Sequence, residues 1–163
     1  MTLSPPSSTS TTAPLRLWRR LSGSRAGRLA FSAGLWAKAP YFVTALPVVR
    51  SAEPGRAVVS APKWFGVHNH LGTFHAIAAC NLAEAAMGIA MEVSTPPTHR
   101  WIPKAMNVRY LKKATTDLTA TATLARDPAE LTEGTELPVD IRIVDRDDQL
   151  VVAATITTWV TPR

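Results

Sequence analysis

Cysteine is almost absent from this 163-residue chain: Cys80 stands alone, which excludes an intrachain disulfide and suits a reducing compartment such as the cytoplasm. Acidic residues are missing from the whole N-terminal third; none precedes Glu53. Continuous apolar runs of the eighteen or more residues that a membrane span needs are missing as well, so no transmembrane segment is expected. Nor does any run of basic residues interleave with aromatics, and the basic balance (18 Lys and Arg against 12 Asp and Glu, net charge +6) does not read as a nucleic-acid interface. Basic balance also suits anionic lipid or phosphate-bearing small molecules. Much of the excess sits on Arg16, Arg19, Arg20, Arg25 and Arg28, so the remainder is closer to neutral.

What is present divides into three stretches. Residues 1–14 are rich in Ser, Thr and Pro and read as a disordered tail. With the arginines after it, this start superficially resembles a transit peptide, but a tail followed by a genuine helix is the reading adopted. Residues 15–40 form a helical segment that packs on the domain: a short basic helix over 15–21, an interruption at Gly23 and Ser24, and a second helix over 28–38 stopped by Pro40. Residues 41–163 form the main domain.

Within that domain the period changes. Residues 42–50 and 56–62 flank Glu53-Pro54-Gly55, a turn signal, and predict a hairpin whose first strand is at an edge or irregular because of Pro47. Residues 72–91 predict one long helix. Residues 101–112, 117–126, 137–144 and 150–160 alternate as strands, with Thr119, Thr121 and Thr123 set against Leu118, Ala120, Ala122 and Leu124. Helices kept apart from consecutive antiparallel strands give an α+β domain. A helix apolar nearly all round must be covered on most sides, so about six strands are expected to wrap around it.

Chemistry concentrates in Asn69-His70-Leu71-Gly72-Thr73-Phe74-His75-Ala76 and the helix that follows. From Ala76 to Met91 only Asn81 and Glu84 break a run of small or apolar residues; three apart, they lie on roughly one face. A carboxylate there must meet a polar pocket, a partner or a ligand, because burying its charge alone costs several kcal/mol. Glu84 is therefore the leading candidate for catalysis, against a buried ion pair. Asn69 is divided between a functional role and satisfying the N–H groups of the helix start. His75 reads first as a hydrogen-bonded group that orders the loop. Cys80 reads as a small buried hydrophobe. His68, His70 and His75 match no defined zinc spacing, so no metal is expected. Lys104, Arg109, Lys112 and Lys113 are either a solvated strand end or a set of phosphate contacts. Trp64 and Phe65 line an apolar tunnel or pack in the core.

The order of elements, together with the Asn69, Gly72, His75 spacing and Glu84 nine residues after the histidine, resembles the hotdog fold and its phenylacetate-degradation-type acyl-CoA thioesterase branch. Over roughly residues 56–163, with Arg100-Trp101-Ile102-Pro103-Lys104, the chain is also similar to a bacterial hotdog family of unknown function. That resemblance implies an antiparallel sheet wrapped on a central helix, here with an extra N-terminal helical segment. It implies a homodimer or a dimer of dimers, and a coenzyme A thioester as substrate without a further cofactor. Glu84 would be general base or nucleophile, and the Ala76 N–H and Asn69 would hold the carbonyl. Gly72, Asn81, Trp64, Phe65 and the four basic residues would complete the substrate site. Two positions depart from the pattern: Ala76 replaces a glycine, and Pro103 stands where a Ser or Thr often positions water. Those departures keep open a non-catalytic acyl-thioester binding or sensing protein. A dehydratase or hydratase is disfavoured, because the Pro-Gly context usual before the helix is absent.

Overall fold

The computed structural model describes residues 11–163. The tail reading falls mostly on residues outside that range, but its end needs correcting. Thr12 caps the first helix, α1 (Ala13–Leu21), accepting the Leu15 N–H at 3.2 Å, and Pro14 sits in the first turn, where its missing donor is not needed. Leu15 and Trp18 point into the core, and the Thr12 hydroxyl donates to the Val93 carbonyl at 3.3 Å. Ser24 caps α2 (Arg25–Lys38), so this helix begins three residues before the start expected at residue 28. Trp18 meets Phe31 edge-on at 5.1 Å. The buried Ser32 hydroxyl donates to the Arg28 carbonyl and accepts the Val49 N–H at 2.9 Å, which ties α2 to the sheet.

The strand expected over 42–50 is largely absent. Pro40–Thr44 is a 3₁₀ turn, Leu46 takes a left-handed φ of 49°, and β1 (Val48–Glu53) starts only after Pro47. Two prolines without donors, seven residues apart, break any ladder that stretch could have formed. β1 pairs with β2 (Arg56–Ala61) around a turn in which Gly55 sits at φ 82°. The remaining strands are β3 (His99–Tyr110), β4 (Leu118–Leu124), β5 (Thr135–Val144) and β6 (Leu150–Pro162), and all neighbours pair antiparallel in the order β1-β2-β4-β5-β6-β3. The bound expected for β3 moves two residues earlier at its start, and a bulge lies between Pro103 and Ala105.

The concave face of this sheet holds α3 (Ala76–Ser94), the helix expected over 72–91. Leu82, Ala86, Met87, Ala90 and Met91 pack against the inward residues of β2, β4, β5 and β6. Ala57, Ala120 and Ala122 keep the strands over the helix close, so the sheet can curl around it. α3 is long and apolar enough to cross a membrane by length and composition, but most of it is enclosed by the sheet. This is the hotdog arrangement. Its two edges differ: α2 packs against β1, whereas the outer edge of β3 pairs with no strand among the described residues.

Candidate functional site

The loop into α3 is closed by its own polar groups. Asn69 Oδ1 accepts the N–H groups of Leu71 (2.9 Å) and Thr73 (3.1 Å), and its Nδ2 donates to the Thr73 hydroxyl at 2.8 Å. Gly72, at φ 69°, supplies the left-handed residue that lets the chain turn back. Asn69 therefore organises the loop and does not cap the helix. That task belongs to His75, whose Nδ1 accepts the Ile77 N–H at 3.0 Å while its own N–H donates to the Val67 carbonyl at 2.7 Å. Ala76 is the first helical residue. Its N–H has no hydrogen-bond partner among the described residues and lies at the positive end of the helix dipole.

Glu84 projects from the exposed stripe of α3 into a cleft of about 410 Å³. Met87, Gly88 and Ile89 of α3 form one wall, Trp101 and Pro103 of β3 another, and Leu35, Tyr41 and Phe42 the third. No described cation pairs with Glu84. The one ion pair in the cleft lies at its far end, Lys38 to Glu92 at 3.3 Å. The arrangement is a carboxylate without an ion-pair partner among the described residues, at the mouth of a mostly apolar slot. Pro103 does share this cleft with Glu84, and it brings no hydroxyl.

Comparison with family models matches residues 27–160 to the family described as Domain of unknown function (DUF4442). The chain belongs to that family. A solved structural-genomics protein, APC5556, is 37% identical, with 92% of this chain and 98% of that one covered at a TM-score of 0.78. A Pseudomonas aeruginosa protein of unknown function, PA5026, described as a probable thioesterase, is 20% identical over 95% of this chain and all (100%) of its own, at a TM-score of 0.75. The Staphylococcus aureus thioesterase SAV0944 is 22% identical over 76% of this chain and 99% of its own, at 0.66. At these identities the last two establish the fold. Among curated proteins no match is found.

Other expected site residues of the DUF4442 protein lie away from the Glu84 cleft. Asn81 is only 5% exposed; its Nδ2 donates to the Thr44 hydroxyl at 2.8 Å, and it faces a smaller notch of about 230 Å³ beside His68 and His75. Residues three apart are offset by about 60° around a helix. Tyr41 fills that offset and separates the notch from the cleft. Trp64 and Phe65 are neither core nor tunnel within this chain: Phe65 is 86% exposed, and Trp64 lies over Gly66. Lys104 and Arg109 project from the convex face, because strand alternation and the bulge turn Trp101, Pro103, Met106 and Val108 toward α3 instead. Lys104 pairs with Glu136 at 2.6 Å and stacks over the Trp159 ring. Lys112 donates to the Gln149 side chain at 2.9 Å, and Lys113 lies on the exposed loop after β3. None of the four touches the cleft. His68 accepts from or donates to nothing acidic, its Nε2 lying 3.2 Å from Lys63 Nζ, and no cluster of potential metal ligands occurs among the described residues.

Several residues of this region carried no sequence signal. Tyr41, Phe42 and the Lys38–Glu92 pair reach the cleft only because the 3₁₀ turn folds back over α3. Cys80 is half-buried rather than fully buried, and its thiol lies 3.1 Å from the Tyr110 hydroxyl. That contact, with some burial, pushes the Tyr110 phenol up to about 12. Gly88 was visible as a glycine inside a helix, a mark of close approach or of space left open.

Proposed function

We propose that the protein is an acyl-coenzyme A thioesterase whose site is completed by a second copy of the chain. The observation that carries this reading is the separation of Glu84 from the free Ala76 N–H. They are eight residues apart along one helix, or about 12 Å at 1.5 Å per residue, too far to act on one carbonyl. A second protomer paired at the open β3 edge, beside the exposed Ile77 and Tyr110, would bring its helix tip to this Glu84. Dimerisation would also cover a strand edge that otherwise invites aggregation.

In this scheme Glu84 removes a proton from water, and the water oxygen bonds to the thioester carbon. The carbonyl oxygen takes up the electron pair and is held by the partner's Ala76 N–H, aided by the helix dipole. Collapse expels the coenzyme A sulfur, which takes the proton from Glu84. The products are a carboxylic acid and a free thiol. The reaction draws on no cofactor, and a single unbridged cysteine suits the cytoplasm as its setting.

Complementation tests the shared site. Ala76→Pro removes the N–H at the first helical position, where proline is tolerated, and His75 already has the extended backbone that a following proline requires. Loss of one oxyanion donor is expected to lower turnover roughly 100- to 1,000-fold. A heterodimer of one Glu84→Gln chain with one Ala76→Pro chain keeps one intact site and regains activity; sites built within a single chain would leave every site defective. An inactive heterodimer with both parent homodimers correctly folded overturns the shared site. Binding of acyl thioesters without hydrolysis is the second reading, and Pro103 beside Glu84 favours it. Tight binding of acyl-coenzyme A with no thiol release by the wild type would establish it.

A further inference from the structure

We infer that the cleft running from Glu84 to the Lys38–Glu92 pair is the acyl-chain site, and that the N-terminal helical segment sets the length of chain accepted; this rests on the thioesterase reading. Three observations converge. The wall is apolar between two polar ends, Glu84 at one and the ion pair at the other. α3 carries a glycine at the middle of that wall, where glycine weakens a helix relative to alanine. Packing does not demand it: a Cβ on Gly88 would find only the Trp101 ring, at 4.0 Å. The space that a side chain would fill is left to the cleft.

The opposite wall is not part of the sheet. Leu35 and Lys38 come from the end of α2, and Tyr41 and Phe42 from the turn after it. This segment is thus a lid of fixed position that converts an open groove beside α3 into a slot. From Glu84 to Glu92 is again two turns and a little more, about 12 Å, which holds an acyl chain of roughly eight to ten carbons with its carbonyl at Glu84. Beyond that length the tail meets two charges, whose displacement from each other chain burial must offset. The substrate class is therefore a medium-chain acyl thioester.

A ladder of acyl-coenzyme A substrates from four to sixteen carbons, paired with binding of the matching non-hydrolysable alkyl thioethers, tests this. Each added methylene up to about ten carbons should raise kcat/KM and thioether affinity about fourfold, followed by a plateau. Gly88→Leu should lower the ten-carbon to four-carbon ratio at least tenfold in both measurements. Replacing both ends of the pair, Lys38→Ala with Glu92→Ala, should move the plateau to longer chains. A flat ladder in the wild type, or a plateau that neither variant moves, overturns the acyl-chain assignment even if hydrolysis occurs. A chain-length-dependent thioether affinity with no thiol release supports the assignment and overturns only the hydrolytic reading.

Discussion

At the tip of α3, Asn69, Thr73 and His75 are bound to one another's backbone or to the helix start, and nearly every polar group there has an internal partner. Two turns along the same helix Glu84 has none, and it faces an apolar slot. The tip's side chains hold its shape and leave backbone N–H groups of the first helical turn, Ala76 among them, without partners; the middle carries an acid that no internal partner holds. Residues of a loop that look catalytic by type can be fully occupied in holding that loop, whereas an exposed, unpaired acid on a small-residue helix is held by nothing inside the fold.

The sharpest way to break this comparison is at Glu84. Glu84→Gln is expected to lower thiol release from acyl-coenzyme A at least 100-fold, the usual scale for an acid–base group. Its stability should stay within about 0.5 kcal/mol of the parent, since the side chain is exposed and unpaired. Equal losses of activity and stability, measured by thiol assay and urea unfolding, would erase the distinction between tip and middle. Asn69→Ala should do the reverse: about 1–2 kcal/mol lost in urea unfolding, because two backbone donors lose their acceptor, and a smaller loss of turnover. His75→Ala should cost about 1 kcal/mol through the lost helix cap. If it abolished turnover while leaving stability intact, the imidazole would be a participant in the chemistry and not a cap.

The smallest expected effect lies outside both regions and serves as a control. The Lys63 backbone N–H, then the Arg146 guanidinium, hold the Asp117 carboxylate below its ordinary 3.8. A carboxylate with a depressed folded pKa contributes stability above the unfolded value and loses it as pH falls through the folded one. Asp117→Asn should therefore melt lower than the parent at pH 7, and the gap should narrow below about pH 3.8. The two melting curves compared at both pH values check the sign; a gap that widened in acid would reverse it.

Much of the architecture was legible from local chemistry. Alternation along β4 and β5, the Glu53-Pro54-Gly55 turn and the apolar run of α3 each stated their element, because burial on one face or all round leaves a period in the residues. The stretch 42–50 misled, since its Val and Phe residues suit a strand while Pro40 and Pro47 deny it a ladder. Asn81 misled for a different reason. It shares a helical face with Glu84, yet Tyr41, from a turn forty residues earlier, stands between them. For Lys104, Arg109, Lys112 and Lys113 the sequence left two readings open, and the structure places all four away from the cleft: Arg109 by the alternation that turns Met106 and Val108 inward, Lys104 at the bulge between Pro103 and Ala105, and the last two beyond the end of β3.

From its residues alone the chain specified an antiparallel sheet around one small-residue helix, and an acid on that helix that had to meet something other than hydrocarbon. Hydrophobic periodicity and the cost of burying charge are local properties, readable without coordinates. Tertiary structure decided how that acid avoids burial: Glu84 is exposed to solvent at the mouth of an apolar slot roofed by α2 and the 3₁₀ turn and flanked at its far end by the partly exposed Lys38–Glu92 pair, with the Ala76 N–H of the same helix about 12 Å away. Those contacts join segments far apart in sequence, and a residue period shows that a face is buried without showing which distant segment covers it.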